Sequence, residues 1–300
     1  MKNTLLKNIL KVIGAFTIVL ILGAIAAKMD HSPSSDTDPE YNDENRSKLG
    51  VVARLLWDEK ECIKGNWGAC TNAGVIYSEG NGVKQDYAKA LERFTKACDH
   101  HDDAGCYDLG IVYENGEGVK ADYDKAVALY KQSCDLGSVE GCGVYGKHLL
   151  KIATASSEAT QAIKLIEQAC DDKNGKSCTY LGILYADGDT YIPQNPNRAF
   201  AFYSKGCENG DSTGCFLYAS AYEEGTGIAH NIPKALSIYK NTCETSSDGP
   251  SCYNAGVILN GAYEEIPMNE TEALKYFTIG CEKGNDEDAC KEMKEIQNLS

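Results

Sequence analysis

A repeat of about 36 residues organises most of this chain and limits what it can fold into. Measured from Cys106, the unit has glycine at +4, tyrosine at +7, glycines at +10 and +12, and alanine at +20. One such unit cannot bury its apolar face alone, so its neighbours must cover it, and a stacked array is predicted. Two columns hold only small residues: Gly74, Gly110, Gly146, Gly182, Ala219 and Gly256 at +4, and Ala90, Ala126, Ala162, Ala199, Ala235 and Ala273 near +20.

Each unit reads as a pair of helices. Apolar residues recur at helical spacing after Cys70 and again from Tyr87, and glycines between the two segments end the first helix. Asp86 and Asp122 are placed to cap second helices, and the +4 glycine is predicted to face the +20 alanine where the helices cross. The chain is therefore predicted to be an all-α, α/α solenoid. The predicted hairpins are Cys70–Cys98, Cys106–Cys134, Cys142–Cys170, Cys178–Cys207, Cys215–Cys243 and Cys252–Cys281, with a leading helix near Ser47–Cys62 and a trailing helix near Glu287–Leu299.

Three units depart from the pattern. The third lacks the glycine turn and is predicted to have a longer first helix, and the fourth and sixth have altered turns. Surface loops of this kind often determine specificity.

Residues 1–27 have the layout of a secretory signal peptide. Three lysines precede an uncharged run of 16 residues, Val12 to Ala27, and Ala24-Ile25-Ala26 fits a cleavage site. The run is just short of the roughly 17–25 residues of a spanning helix, so an uncleaved anchor is the alternative. Residues 28–46, rich in Asp, Ser and Pro, predict a flexible acidic spacer, and the array occupies 47–300. We therefore expect a secreted or periplasmic protein that meets a membrane only through its N-terminal segment, if that segment is retained.

The chain is acidic, with a formal net charge of −15 and only four arginines among 29 basic residues. Nucleic-acid binding needs clustered positive charge to displace phosphate counterions, so nucleic acid is not an expected partner. A partner with surface lysines is expected instead.

All fourteen cysteines fall into seven close pairs with seven or eight residues between the partners. In an exported protein an even count predicts a disulfide framework. Pairing within hairpins, such as Cys70 with Cys98, would leave Cys62 and Cys290 without partners, whereas pairing across the short turns uses every cysteine. The spacing does not suit zinc tetrads, and no metal or cofactor is predicted. The predicted disulfides are Cys62–Cys70, Cys98–Cys106, Cys134–Cys142, Cys170–Cys178, Cys207–Cys215, Cys243–Cys252 and Cys281–Cys290.

The segment Leu109–Ala126 resembles the Sel1-like repeat, a relative of the tetratricopeptide repeat. The added Cys-x7-Cys staple is similar to that of the Helicobacter cysteine-rich proteins, the Hcp family, and the likeness extends from Leu49 to Cys290. This resemblance implies a right-handed superhelix with a concave inner face, exported from the cytoplasm. It also implies a penicillin-binding or β-lactamase activity, with β-lactams as ligands, and a role in host interaction.

The residues themselves give little support to hydrolysis. A serine β-lactamase needs S-x-x-K together with S-D-N and K-T-G elements, and here only Ser237-Ile238-Tyr239-Lys240 fits any of them. The His100-His101-Asp102-Asp103 cluster lies in a short turn without zinc-site spacing and is predicted to be a solvated loop, while His148 and His230 stand alone. Ser237 and Lys240 are therefore weak catalytic candidates, and the enzymatic hypothesis depends on the resemblance.

The preferred hypothesis is a monomeric scaffold that binds a peptide or protein segment on its concave face, lined by the first helix of each hairpin. The +2 column of those helices varies while its neighbours repeat, as a recognition surface would. An ordinary solvent-facing column is the alternative interpretation. The candidate ligand-binding residues in this column are Asn72, Asp108, Tyr180 and Asn254, and Val144 and Leu217 complete it.

Overall fold

The computed structural model describes residues 50–299, so the signal peptide and spacer predicted for residues 1–46 lie outside the described residues. Within the described range the chain is all-helical, without a strand, and the predicted all-α solenoid is confirmed. The helices are α1 (Val51–Ile63), α2 (Trp67–Glu79), α3 (Tyr87–Asp99), α4 (Asp103–Asn115), α5 (Tyr123–Asp135), α6 (Val139–Ile152), α7 (Ser156–Asp171), α8 (Gly175–Asp187), α9 (Pro196–Glu208), α10 (Ser212–Glu224), α11 (Ile232–Ser246), α12 (Gly249–Val257), α13 (Glu270–Glu282) and α14 (Glu287–Leu299).

The first helices of the hairpins form an inner layer of the array. We call α2, α4, α6, α8, α10 and α12 the inner helices and α3, α5, α7, α9, α11 and α13 the outer helices. Inner helix α2 contacts α4, α4 contacts α6, and α8 contacts α10, whereas in the described part only α11 and α13 make a comparable contact between outer helices. Three of the five neighbouring pairs of inner helices in the described part therefore contact each other, against one pair of outer helices. No helix within residues 50–299 is both long enough and apolar enough to cross a membrane.

A disulfide joins the end of α1, and the end of each outer helix, to the start of the next helix. The seven bridges connect the seven cysteine pairs predicted from the spacing, and no cysteine in the described residues is free. Seven disulfides favour an oxidising environment outside the cytoplasm, because cytoplasmic thiols are kept reduced.

One turn recurs inside every disulfide loop. A residue with positive φ reverses the chain, and the next residue caps the following helix by accepting a hydrogen bond from a backbone N–H. Asp102, for example, accepts from the Gly105 N–H at 2.8 Å, and it also accepts from the Thr71 hydroxyl of the preceding unit at 2.7 Å. The positive-φ residues are Gly65, His101, Gly137, Lys173, Gly210, Ser247 and Asn285, and the caps are Asn66, Asp102, Ser138, Asn174, Asp211, Asp248 and Asp286.

The +4 glycines make room for large side chains of the outer helices. A Cβ added to Gly110 would lie 2.6 Å from the ring of Tyr130, and one added to Gly74 would lie 2.5 Å from Phe94. The prediction that these glycines face the +20 alanines holds for the backbone in two units, because a Cβ added to Gly146 or Gly182 would lie 2.9 Å or 3.2 Å from the carbonyl oxygen of Ala162 or Ala199. The closest contact is nevertheless a larger side chain one helical turn beyond the alanine, which the prediction did not include. The predicted caps Asp86 and Asp122 are confirmed, each accepting from the N–H three residues ahead.

The irregular units differ locally from the others. Helix α6 has 14 residues against 13 in α2 and α4, and only Ala153 to Ala155 separate it from α7. In the sixth unit α12 ends in a π-helical turn at Ile258–Ala262, where Gly261 has a φ of 96°. The leading helix begins at Val51 within the described range.

Candidate binding surface

Helix α6 of the third unit carries polar side chains in columns that are mostly apolar elsewhere. At +5 from the first cysteine, Lys147 occupies the position of Val75, Ile111, Ile183, Ser220 and Val257 in the other units. At +6, His148 occupies the position of Ile76, Val112, Leu184, Ala221 and Ile258. Both substitutions face the inner-helix side of the array, where they help to line cavities.

Two cavities open along α6 and α8, and Lys147 lines both. The first, of about 300 Å³, lies between α4, α6, α8 and the loop before α10. The second, of about 530 Å³, lies between α6, α8 and the loop that follows α8. We call the two together the third-unit groove. Its lining includes Tyr107, Glu140, Val144, Lys147, Lys173, Asn174, Lys176, Asn209 and Asp211 in the first cavity and Glu114, Tyr123, Lys147, His148, Leu150, Lys151, Tyr180, Asp189 and Tyr191 in the second.

Lys147 lies between the two cavities without an ion-pair partner among residues 50–299. Its ammonium nitrogen lies 4.6 Å from the centroid of the Tyr180 ring, a cation–π distance. Burial lowers the pKa of Lys147, against the attraction of the Asp211 carboxylate. A partly desolvated cation of this kind binds a carboxylate strongly once one arrives, because little water has to be displaced from it.

His148 is held in a network of hydrogen bonds and stacked rings. Its Nδ1 lies 2.6 Å from the Tyr123 hydroxyl, its Nε2 lies 3.6 Å from Glu114, and its ring stacks on Tyr130 at 5.3 Å. The Tyr130 hydroxyl donates to the other oxygen of Glu114 at 2.6 Å. Burial lowers the pKa of His148 despite the nearby Glu114 carboxylate. The network fixes one wall of the second cavity, next to Lys147.

Asp108 is the most perturbed carboxyl on the inner helices. Burial, with a further contribution from the charge of Asp102, raises its pKa to about 7. It is half-buried on α4 next to Tyr107, which lines the first cavity. No described residue donates a hydrogen bond to its carboxylate.

The other residues of the +2 column divide into two groups. Val144 lines the first cavity and Tyr180 lines the second, so the structure brings both to the third-unit groove. Asn72, Leu217 and Asn254 line neither cavity. Lys147 and Lys151 were not identified from the sequence, and His148 was noted only as an isolated histidine, although the loss of aliphatic residues at +5 and +6 could have indicated the site.

The weak catalytic candidates lie apart from this groove. Ser237 is exposed on outer helix α11, and the Lys240 ammonium is 2.5 Å from Glu272 in an ion pair. This engagement leaves Lys240 unavailable as the base that an S-x-x-K site requires. His100 and His101 are exposed in the turn before α4, as predicted for a solvated loop, whereas the half-buried Asp102 caps α4 and Asp103 begins that helix. The His100 ring also stacks on Trp67 at 3.7 Å. Within residues 50–299 no group of three or more potential metal ligands occurs.

Comparison with protein families gives matches over more than half of the chain. The family model described as Sel1 repeat matches residues 67–102, 103–138, 175–211, 212–244 and 249–285. The residues between 138 and 175, which form the third unit, are outside these matches. The unit that departs from the family pattern is thus the one that supplies α6 to the groove.

Similar individual proteins share parts of the chain. A stretch of 62 residues is 37% identical to cytochrome c oxidase assembly factor 7 of Xenopus tropicalis, covering 21% of this chain and 27% of that protein. The chain therefore spans about a quarter of the length of that curated relative. A Sel1 repeat protein from Oxalobacter formigenes superposes with a TM-score of 0.59 at 21% identity, covering 72% of this chain and 85% of that structure, which shows the shared fold. Helicobacter pylori cysteine rich protein B matches at 22% identity with a TM-score of 0.25, over 57% of this chain and 96% of that one.

Proposed function

This chain belongs to the Sel1 repeat family, and we propose that it is a secreted or periplasmic scaffold that binds an extended segment of a partner protein in the third-unit groove. The observation that carries the proposal is the placement of α6, whose Val144 and Lys147 line the cavities in the one unit outside the family matches. Stacked helix hairpins present extended surfaces of this kind to protein ligands. The resemblance also implies a role in host interaction, and in that role the partner is a host protein.

The chemistry of the groove suits a peptide. Tyr180, Tyr191 and Leu150 offer apolar and aromatic surface, and Asn174 and Asn209 offer side-chain amides near the backbone of a bound segment. Concave sites that combine apolar walls with a few polar groups are typical of ligand-binding surfaces. The disulfides support this role because they hold successive units in fixed positions, which lowers the entropy cost of ordering the surface on binding.

A blocking substitution tests the proposal. Val144→Trp places a large ring in the first cavity, and Ala128→Trp places the same ring at an exposed position of outer helix α5. We expect peptides selected from a random library by the oxidised chain to bind the Ala128→Trp variant normally and the Val144→Trp variant at least tenfold more weakly, measured by fluorescence polarisation. Equal affinity for the two variants would place the binding surface elsewhere and refute the proposal. Circular dichroism of both variants checks that the helices are intact.

A further inference from the structure

We propose that Lys147 is the anchor of the groove and pairs with the carboxylate of an aspartate or glutamate side chain in the partner segment. This inference rests on the proposed function and names the chemistry of its ligand.

The first reason is the position of Lys147 in the repeat. The corresponding position in four of the other five units holds valine or isoleucine, which shows that an aliphatic side chain fits the fold there. Partial burial of an ammonium group has a free-energy cost that neighbouring carboxylates normally offset. No carboxylate of residues 50–299 forms an ion pair with Lys147. The lysine therefore lowers the stability of the isolated chain and gains its partner on binding.

The second reason is the charge of the groove. Lys173 and Lys176 line the first cavity beside Lys147, and Lys151 lines the second, so four lysines balance the four lining carboxylates, Glu114, Glu140, Asp189 and Asp211, in a chain whose net charge is −15. Several lining carboxylates are already engaged as hydrogen-bond acceptors: Asp211 with Gly214 and Thr179, Glu114 with Tyr130, and Asp189 with Tyr191. An incoming carboxylate thus meets lysines that have no ion-pair partner among residues 50–299, and three of the four lining acids, all but Glu140, already have hydrogen-bond donors.

The third reason is the apolar surface next to the anchor. Tyr180 contacts the Lys147 ammonium through its ring, and Tyr191 and Leu150 continue the wall of the second cavity. In an extended peptide, side chains two residues apart lie on the same face. A carboxylate paired with Lys147 therefore allows an aromatic or aliphatic residue two positions away to pack against this wall, which favours a peptide over a free anion.

Affinity selection tests the assignment. The probe is a library of random nonapeptides, acetylated at the N-terminus and amidated at the C-terminus so that side chains supply every carboxylate. We expect the oxidised wild-type chain to enrich Asp or Glu at one position, with an apolar residue two positions away. Lys147→Met, which restores an apolar side chain to the column, should lose this preference and bind the selected peptide about tenfold to a hundredfold more weakly. Lys147→Glu should enrich Lys or Arg at that position instead.

A matched control and three outcomes make the result decisive. Lys164→Met removes the same charge from an exposed position of outer helix α7 and should bind like the wild type. Enriched peptides that lack an acidic residue, or that bind Lys147→Met unchanged, would overturn this inference and leave the proposed function intact. Failure of the wild type to enrich any peptide would overturn both.

Discussion

The two disulfides that flank the third unit provide a quantitative test of how the staples act. Cys134–Cys142 and Cys170–Cys178 close loops of the same length, with a sequence separation of 8 in each case. In the chain-entropy treatment a loop of this length contributes about 2.6 kcal/mol by restricting the unfolded chain. The pairs differ in packing, because Cys134 and Cys142 are half-buried whereas Cys170 and Cys178 are 2% and 0% exposed.

Replacing both cysteines of a pair with alanine separates the two contributions. We expect the Cys134→Ala/Cys142→Ala variant to lose about 2.6 kcal/mol of unfolding free energy. The Cys170→Ala/Cys178→Ala variant should lose about 1–2 kcal/mol more, because two buried sulfur atoms leave a cavity. Guanidinium unfolding followed by circular dichroism measures both, provided that the slope m matches that of the wild type. Equal losses in the two variants, or a loss under about 1 kcal/mol in the first, would refute this reasoning.

Three further predictions follow from individual residues. Gly110→Ala should destabilise the chain by about 1–3 kcal/mol in urea unfolding, since the new Cβ would overlap the Tyr130 ring. An unchanged urea midpoint would contradict the packing of Gly110 against Tyr130. The pKa of Asp108 is raised from 3.8 to about 7, so the unfolding free energy should fall as pH rises from 4 to 7. Asp108→Asn should therefore raise the unfolding free energy by about 1–3 kcal/mol at pH 8 and leave it unchanged at pH 4. Equal effects of this substitution at the two pH values would exclude burial of the Asp108 carboxylate as the cause. The oxidised chain should hydrolyse a chromogenic cephalosporin no faster than buffer, and turnover abolished by Ser237→Ala would contradict the scaffold function.

The repeat made most of the fold predictable. The 36-residue period was enough to predict the six helical hairpins. The requirement that every cysteine have a partner predicted the seven disulfides. The contact of Gly110 with Tyr130 was not predictable from the repeat. A small residue at +4 can pack against a small residue at +20 or against an aromatic ring, and the sequence does not distinguish the two. The direction of each side chain at the helix crossing decides between them, and only the structure supplies it.

The candidate site was only partly predictable. Choosing the +2 column for its variability brought in Val144 and Tyr180, which line the groove, but also Asn72 and Asn254, which do not. Lys147 was not singled out because columns +5 and +6 were not compared between units, and His148 was noted only as an isolated histidine. A column that is apolar in most units and charged in one is a better indicator of a site than a column that varies throughout, since only the former carries a free-energy cost that needs a compensating partner.

Photo-crosslinking tests the central claim, that the inner face of the third unit binds a protein segment, most directly. A benzophenone amino acid replaces Tyr180 in the groove of one variant and Ala128 on the outer helix of another. After irradiation with the selected peptide, or in cells that produce the protein, we predict covalent adducts from position 180 and none from position 128. Adducts from position 128 alone, or from both positions equally, would contradict the claim.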